Sequence, residues 1–359
     1  MTERIRLVVL YGGRSAEHEV SRLSGSYVAQ CARAGSVEVD LVGITREGRW
    51  VRPPADVLEH EADKDALPAL GDDLPAVSLD RVLEPRANER LVVFPVLHGP
   101  FGEDGTVQGL CEMAGVPYVG PGVLASAACM DKPVAKRLLE AAGMPTALHI
   151  ELRSGDVTAE TPAALLTDLG SPVFVKPANL GSSIGISKAA GAEQVAAALM
   201  RAASYDDRLI VEEYVPGREI EVAVLGNENL RASAPGEIVP GGEFYDYADK
   251  YLNGTAELHA PADLPVAVSE EAQSLAVAAA RALGVEGLAR VDFLYDEAAS
   301  PDRRLLVSEI NTMPGFTPIS MYPRLWAVSG LDGPTLIAEL LRLALDRHAR
   351  RRAHNRTEH

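Results

Sequence analysis

VSEINTMPGF, residues 307–316, closes the apolar run LLVSEI with a carboxylate, a carboxamide and a Met-Pro-Gly turn. A second apolar run upstream also carries charge, in ARVDF at 289–293. Side chains at i and i+2 of a strand share a face. Glu309 and Asn311 therefore point one way, and so do Arg290 and Asp292. If the two strands pair, Asp292, Glu309 and Asn311 form an all-oxygen cluster, which selects a hard cation such as Mg2+ held against phosphate. Without a cation, two carboxylates this close would repel or share a proton. A surface hairpin with solvated acids is the plainer alternative, and the apolar flanks of both runs count against it.

Two other segments suit the same chemistry. In VFVKPANLGSSIGIS (173–187), Lys176 ends an apolar strand, where it needs a counter-charge or solvent. The Gly/Ser loop that follows, with Ser182 and Ser183, offers backbone donors and hydroxyls to a phosphate. It is not the Walker order, because the lysine precedes the glycines. A hairpin turn with a surface lysine reads equally well on this fragment alone. In LIVEEYVPGREIEV (209–222), a strand ends in Glu212, Glu213, Tyr214 and Val215, which can hydrogen-bond an adenine edge, with Glu219 in reach of a ribose. A strand-turn-strand with exposed acids is the commoner meaning of such a pattern.

At the N-terminus, VVLYGGRSAEHEVS sets two glycines between a strand and a helix, without the third glycine of a dinucleotide fingerprint. Glu17 in the first turn is a poor neighbour for pyrophosphate and a good one for an ammonium. His18 reads as an ordinary surface residue. His98 follows a strand in VLHGPFGEDGTVQG, at the carboxyl end where parallel sheets bind ligands.

The chain of 359 residues exceeds one compact core, so two or three domains are expected. A hydrophobic content of 47% argues for a packed globular protein. The formal charge of −17 disfavours nucleic acid as a partner, yet leaves room for a small anion in a locally basic cleft. Cys31, Cys111 and Cys129 match no metal knuckle, and a reduced, cytoplasmic setting is the simplest reading. No secretory signal and no membrane span are expected. Strand, helix and strand alternate from RIRLVVLYGG onward, so a parallel α/β unit comes first, with Pro95 marking an early end or an edge. Residues 53–90 read as an acidic surface insertion with a short strand at PAVSL, and VPYVGPG as a strand. Asp131 caps the helix in MDKPVAKRLLEAAGMPT, with Pro133 in its first turn. A small α+β unit and a larger, antiparallel one follow, with cuts near 121 and 215. HARRRAHNR and the rest of 346–359 read as a basic, disordered tail.

GGRSAEHEVS, LHGPFGEDGTVQG, MDK, FVKPANLGSSIGIS, VEEYVPGREIEVAVL, FYDYADKY, ARVDF and SEINTMPGFTPISM follow one another from residue 12 to 321. In that order they resemble the D-alanine–D-alanine ligases of the ATP-grasp superfamily. The resemblance implies a three-domain ATP-grasp fold of α/β and α+β class. A Rossmann-like α/β domain at 1–120 would bind the first D-alanine. The central subdomain at 121–215 would carry the phosphate loop, and the C-terminal subdomain at 216–345 the Mg2+ and second D-alanine sites. It implies ATP-dependent formation of D-alanyl-D-alanine through an acyl phosphate for peptidoglycan precursors, with two Mg2+ ions, Mn2+ substituting, in a cytoplasmic homodimer that binds neither nucleic acid nor membrane.

Residue by residue, Lys132 and Lys176 would contact the ATP phosphates, and the loop of Ser182 and Ser183 would close over the γ-phosphate. Glu212, Glu213, Tyr214 and Val215 would meet adenine, Glu219 the ribose, and Asp292, Glu309 and Asn311 the metal. Glu17 would take the first ammonium through a network with Ser182 and Tyr251, with His98 nearby. Lys250, also near the nucleotide, would bind the second carboxylate with Ser320 and the adjoining Met321. Arg290 and the Gly315 N–H would stabilise the oxyanion. Relatives that make D-alanyl-D-lactate carry a histidine where this chain has Tyr251, so the dipeptide is expected. A depsipeptide ligase or another carboxylate–amine ligase would share the nucleotide residues. A dinucleotide oxidoreductase lacks its third glycine here, and a nucleotide sensor has no use for Arg290.

Overall fold

Seven consecutive buried residues, from Arg6 to Gly12, make β1 (Arg4–Gly12) an interior strand of the first sheet. The structure, a computed structural model, describes residues 4–54, 57, 67, 69–71, 73–181, 183–241 and 256–355. After β1 come α1 (His18–Ala34), β2 (Glu38–Ile44), β3 (Trp50–Val51), α2 (Leu79–Val82) and β4 (Glu89–Pro95). The strand order is β3-β2-β1-β4, with β1 parallel to both β2 and β4. β4 lies at the edge, as Pro95 suggested, since a proline has no N–H for a further ladder. The strand expected in VPYVGPG is reduced to one bridge, Val93 to Tyr118, and that in PAVSL to one bridge, Val51 to Ala76.

Helices α3 (Thr106–Ala114), α4 (Val123–Met130) and α5 (Lys132–Ala141) lead out of this unit. Asp131 caps α5 as expected, its Oδ1 accepting the Val134 N–H at 3.0 Å. Next are β5 (His149–Arg153), α6 (Thr161–Leu169), β6 (Val173–Pro177), β7 (Ser187–Ala189), α7 (Ala192–Ala203) and β8 (Arg208–Glu213). Their strands form an antiparallel sheet, β5-β8-β6-β7, with its own core under α6 and α7.

The third sheet comprises β9 (Arg218–Gly226), β10 (Arg231–Ala232), β11 (Gly236–Val239), β12 (Glu257–His259), then, after α8 (Val266–Ala282), β13 (Gly287–Tyr295) and β14 (Leu305–Asn311). The order is β12-β11-β9-β13-β14, with β10 on β9, all antiparallel. Ala272, Ala276, Ala279 and Ala280 let α8 lie close on this sheet. Ala125, Cys129, Ala135 and Leu139 of α4 and α5 share that core, although they stand inside the expected central segment.

Finally come α9 (Met321–Val328) and α10 (Gly333–Asn355). One core joins the first sheet to the third: Leu7, Tyr11 and Val28 pack in a cluster with Leu288, Phe316, Tyr322 and Leu340.

Three expectations need correction. The basic tail is helical to Asn355 and is docked rather than frayed. Arg347, buried, donates to Gly120 O and, at 2.8 Å, to Tyr118 O, with its guanidinium 4.2 Å from the Tyr118 ring centroid. Arg350 and Arg351 pair with Glu286 and Glu112. The insertion is anchored, not merely superficial: Val57, Leu67 and Val82 are buried, the Leu67 N–H donates to Arg22 O at 3.2 Å, and Leu67 O accepts from Arg22 Nε at 2.8 Å. His18 is buried, its Nδ1 2.8 Å from Gly13 O, because the turn after β1 folds back over it.

Replacing Arg347 by Ala leaves the Gly120 and Tyr118 carbonyls without these donors. A loss of about 2–4 kcal/mol in urea unfolding is expected. A change below about 0.5 kcal/mol would show that the helix end contributes nothing.

Candidate active site

The β13–β14 register brings the opening residues together. Asp292 faces Glu309 and Arg290 faces Asn311, with a bulge after Asp292. Arg290 is forked on Asp292, Nε to Oδ1 and Nη2 to Oδ2, each 2.7 Å, and lies 3.1 Å from Glu221 on β9. Burial alone would lower the Arg290 pKa; the charges of Asp292 and Glu221 hold it well above the ordinary value. Asn311 Nδ2 donates to Asp292 Oδ2 at 2.9 Å. Among the described residues no three His, Cys, Asp or Glu side chains form a ready metal cage. Two carboxylates and a carboxamide still fit Mg2+, which keeps several waters and takes one or two carboxylates plus substrate phosphates. Asn311 would then turn its oxygen inward.

Beside this cluster runs a cleft of about 360 Å³, lined by Lys176, Ser183, Glu212, Tyr214, Val215 and Glu219 among others. Glu213 also lines it, but its carboxylate accepts the Leu148 N–H at 2.6 Å and pairs with Arg303. Glu212 is likewise held by charge. Its oxygens lie 2.8 Å from Lys176 Nζ and 3.3 Å from Lys136 Nζ. Burial would raise the Glu212 carboxyl, yet the two lysines hold it down at about 2. Burial would lower Lys176, and the charge and hydrogen bond of Glu212 raise it above its usual range. Lys132 donates to Leu180 O, and burial lowers its pKa. Tyr214 stands half-exposed, 6.2 Å from the Phe174 ring, with Lys188 Nζ 4.4 Å above it. Ser183 adopts φ +58 in the loop between β6 and β7. Ser182, Lys250 and Tyr251 lie outside the described residues.

A second cavity, about 430 Å³, is lined by Glu17, His98, Gly315, Ser320 and Met321 among others. Glu221, Arg290 and Glu309 line both cavities. Gly99 has φ +75, and a Cβ there would stand 2.9 Å from Glu17 Oε2, so glycine lets this carboxylate seat. Gly181 of the phosphate loop is similarly close, at 3.2 Å. Gly315 lies against Ser320, whose Oγ accepts the Thr317 N–H at 3.0 Å.

The comparisons decide what this arrangement belongs to. Models of the D-ala D-ala ligase N-terminus and C-terminus match residues 6–121 and 138–342. The chain is 42% identical to the D-alanine–D-alanine ligase of Acetivibrio thermocellus, over 97% of this chain and 98% of that one. It is 46% identical to the ligase of Mycolicibacterium vanbaalenii, over 97% and 99%. The D-alanine–D-alanine ligase structure from Coxiella burnetii superposes with a TM-score of 0.81 at 36% identity, covering 99% of both chains. The VanG D-Ala:D-Ser ligase from Enterococcus faecalis gives 0.77 at 32% identity, covering 95% of this chain and 99% of that one. The chain belongs to the D-alanine–D-alanine ligase family.

Several site residues of this family member escaped the sequence reading. Lys136 and Glu221 hold Glu212 and Arg290. Glu103 is 3.5 Å from His98 Nδ1, which is also 3.0 Å from Met313 O. Burial raises the Glu103 carboxyl to about 7, against the pull of His98 and with the charge of Glu17 adding to the rise. Burial would lower His98, and Glu103 raises it above its usual value. Ser24 ties His98 Nε2, at 3.2 Å, to the Phe316 N–H, at 3.1 Å. Only the i, i+3 spacing of Ser21 and Ser24 on α1 hinted at this polar seam.

Glu212 stays ionised in the fold to about 2, well below the ordinary glutamate value of 4.5, so its contribution is complete above pH 4.5 and fades as pH falls toward 2. Glu212→Gln therefore costs about 3 kcal/mol at pH 7, a deficit that shrinks between pH 5 and 3. Urea midpoints across that range check it. A constant deficit would show that the lysine pair does not set this carboxyl.

Proposed function

We propose that this chain joins two D-alanines to D-alanyl-D-alanine at the expense of ATP, giving ADP and phosphate, for peptidoglycan precursors. The observation that carries the reading is the meeting of the two cavities at Glu221, Arg290 and Glu309, where a phosphoryl group and an acyl acceptor can share one set of residues. The family assignment supports it over full length.

A carboxylate is a poor electrophile, and its phosphorylation makes phosphate the leaving group. In this reading ATP lies along the first cleft, with adenine toward Glu212, Glu213, Tyr214 and Val215 and its ribose toward Glu219. Lys132 and Lys176 seat the phosphates, and Ser182 and Ser183 cover the γ-phosphate. Phosphoryl transfer depends chiefly on positioning and charge neutralisation. Mg2+, with Mn2+ as substitute, would sit at Asp292, Glu309 and Asn311 and supply part of that neutralisation. Glu17 holds the ammonium of the first D-alanine, with Tyr251 and Ser182 in its network and His98 beside it. The second D-alanine lies toward Ser320, Met321 and Lys250, and its amine attacks the acyl carbon. Arg290 and the Gly315 N–H face the oxyanion of the tetrahedral intermediate. Arg290, held by Asp292 and Glu221, needs no reorganisation when that charge develops.

Phosphate release from ATP and Mg2+ is expected with D-alanine, with D-alanyl-D-alanine seen by mass, and with neither L-alanine nor EDTA-treated enzyme. Release only with another acceptor would overturn the substrate, and none with any pairing would overturn the ligase reading.

The setting is a cytoplasmic one; no helix among the described residues is long and apolar enough to cross a membrane. A homodimer would form through the N-terminal unit, where Met113 is 92% exposed on α3 and Phe101 49%. Leu79 and Leu110 line a hollow beside α2 and α3 of the same unit. Sedimentation at micromolar concentration should show a dimer that Met113→Lys splits; a monomeric parent would remove the assignment.

A further inference from the structure

We propose that Arg324 is a specificity-determining residue for the acceptor, its guanidinium reading the carboxylate of the second amino acid. The inference rests on the placement of that amino acid at Ser320. Ser320 is the residue before α9, and Arg324 follows one turn later, its N–H bonded to Ser320 O at 3.4 Å. Residues four apart on a helix share a face. Both accordingly line the second cavity, together with Gly315, Ile319 and Leu258.

Charge distinguishes Arg324 from its neighbours. In the same C-terminal part of the chain, Arg303, Arg304, Arg342, Arg350 and Arg351 each hold a carboxylate. Among the described residues the Arg324 guanidinium has no acidic partner. Its one side-chain hydrogen bond among the described residues, Nη2 to Leu258 O, is 3.4 Å long. Most of its planar five-donor fork is left, among the described residues, for an incoming group, in a chain whose formal charge is −17. A guanidinium matches a carboxylate with two parallel N–H donors. The cavity therefore carries Glu17 and Glu103 for an ammonium and Ser320 with Arg324 for a carboxylate. A zwitterionic acceptor is ordered by its carboxylate, leaving its amine to the acyl carbon near Gly315. An acceptor with a neutral amide in place of the carboxylate lacks this contact.

The rate as a function of D-alanine concentration resolves separate Michaelis constants for the first and second sites. Arg324→Met should raise the second constant roughly ten- to a hundredfold. The first constant and the saturated rate should stay within about twofold. Arg324→Lys, which keeps the charge, should recover part of the loss and serves alone if the Met variant does not fold. With D-alaninamide as competing acceptor, the wild type should favour D-alanine, and the Met variant should lose that preference. Ser320→Ala is the reference for the acceptor site. If it raises the second constant and Arg324→Met does not, the assignment to Arg324 fails while the acceptor site stands. If both leave the constant unchanged, the placement at Ser320 fails and the assignment with it. A raised constant with the preference for D-alanine over its amide intact would also overturn the proposal, since packing alone would then account for Arg324.

Discussion

The fork of Arg290 on Asp292, backed by Glu221, is the contact on which the cleft depends. β9, β13 and β14 present carboxylates at Glu221, Asp292 and Glu309 within one low-dielectric wall. Like charges so placed would otherwise push up each other's pKa or draw in water. A guanidinium among them balances the wall when folded and, in the proposed reading, leaves a cation where the oxyanion would develop. Glu212 between Lys136 and Lys176 repeats the device with signs reversed. The central anion pairs with both buried ammonium groups, and in the proposed reading the ATP phosphates would find Lys176 already oriented. In both clusters the folded state has met the desolvation cost of its own charges, which is the condition for electrostatic preorganisation.

These clusters sit on two different sheets and the helix α5, so their spacing depends on how the units pack. The first and third sheets share a core, and the C-terminal helix fastens the segment between them. Arg347 holds the carbonyls of Tyr118 and Gly120, and a Cβ on Gly120 would lie 3.2 Å from the Met313 methyl. Met313 in turn offers its carbonyl to His98. A contact at the end of α10 is thus three steps from the wall of the second cavity. The path is a chain of packed groups; it fixes geometry and need not transmit any switch.

How much of this could be read from the sequence follows from where each residue's partner lies. Asp292, Glu309, Arg290 and Asn311 were legible because alternation on two short strands determines which way they face. The Asp131 cap was legible because its partner is three residues away. Lys136 was not, since in KRLLEA it looks like one more solvated charge and its carboxylate is on β8. The basic end of α10 was misread for the same reason: Glu112, Glu228 and Glu286 are remote in sequence. Val57 and Leu67 are isolated apolar residues in an acidic stretch, with no periodicity to announce their burial. His98 was placed by topology, at the end of a parallel strand, while Glu103 and Ser24 around it depend on contacts that no local window contains.

Water is the remaining constraint. An acyl phosphate hydrolyses unless solvent is excluded, so the groups that hold the first amino acid must close on the loop that holds the phosphates. In the proposed reading, the contact between Glu17 and Gly181 meets this requirement. The first belongs to the turn after β1 and the second to the loop after β6, yet the glutamate oxygen stands where a Cβ on Gly181 would have only 3.2 Å. A side chain at 181, or at Gly99 on the other side of the carboxylate, would have to turn the Glu17 carboxylate aside. In the proposed reading, the two glycines therefore let an ammonium held at Glu17 lie close to a phosphate under the loop after β6. That closeness would allow the carboxylate of one small amino acid to reach the γ-phosphate while its amine stays bound.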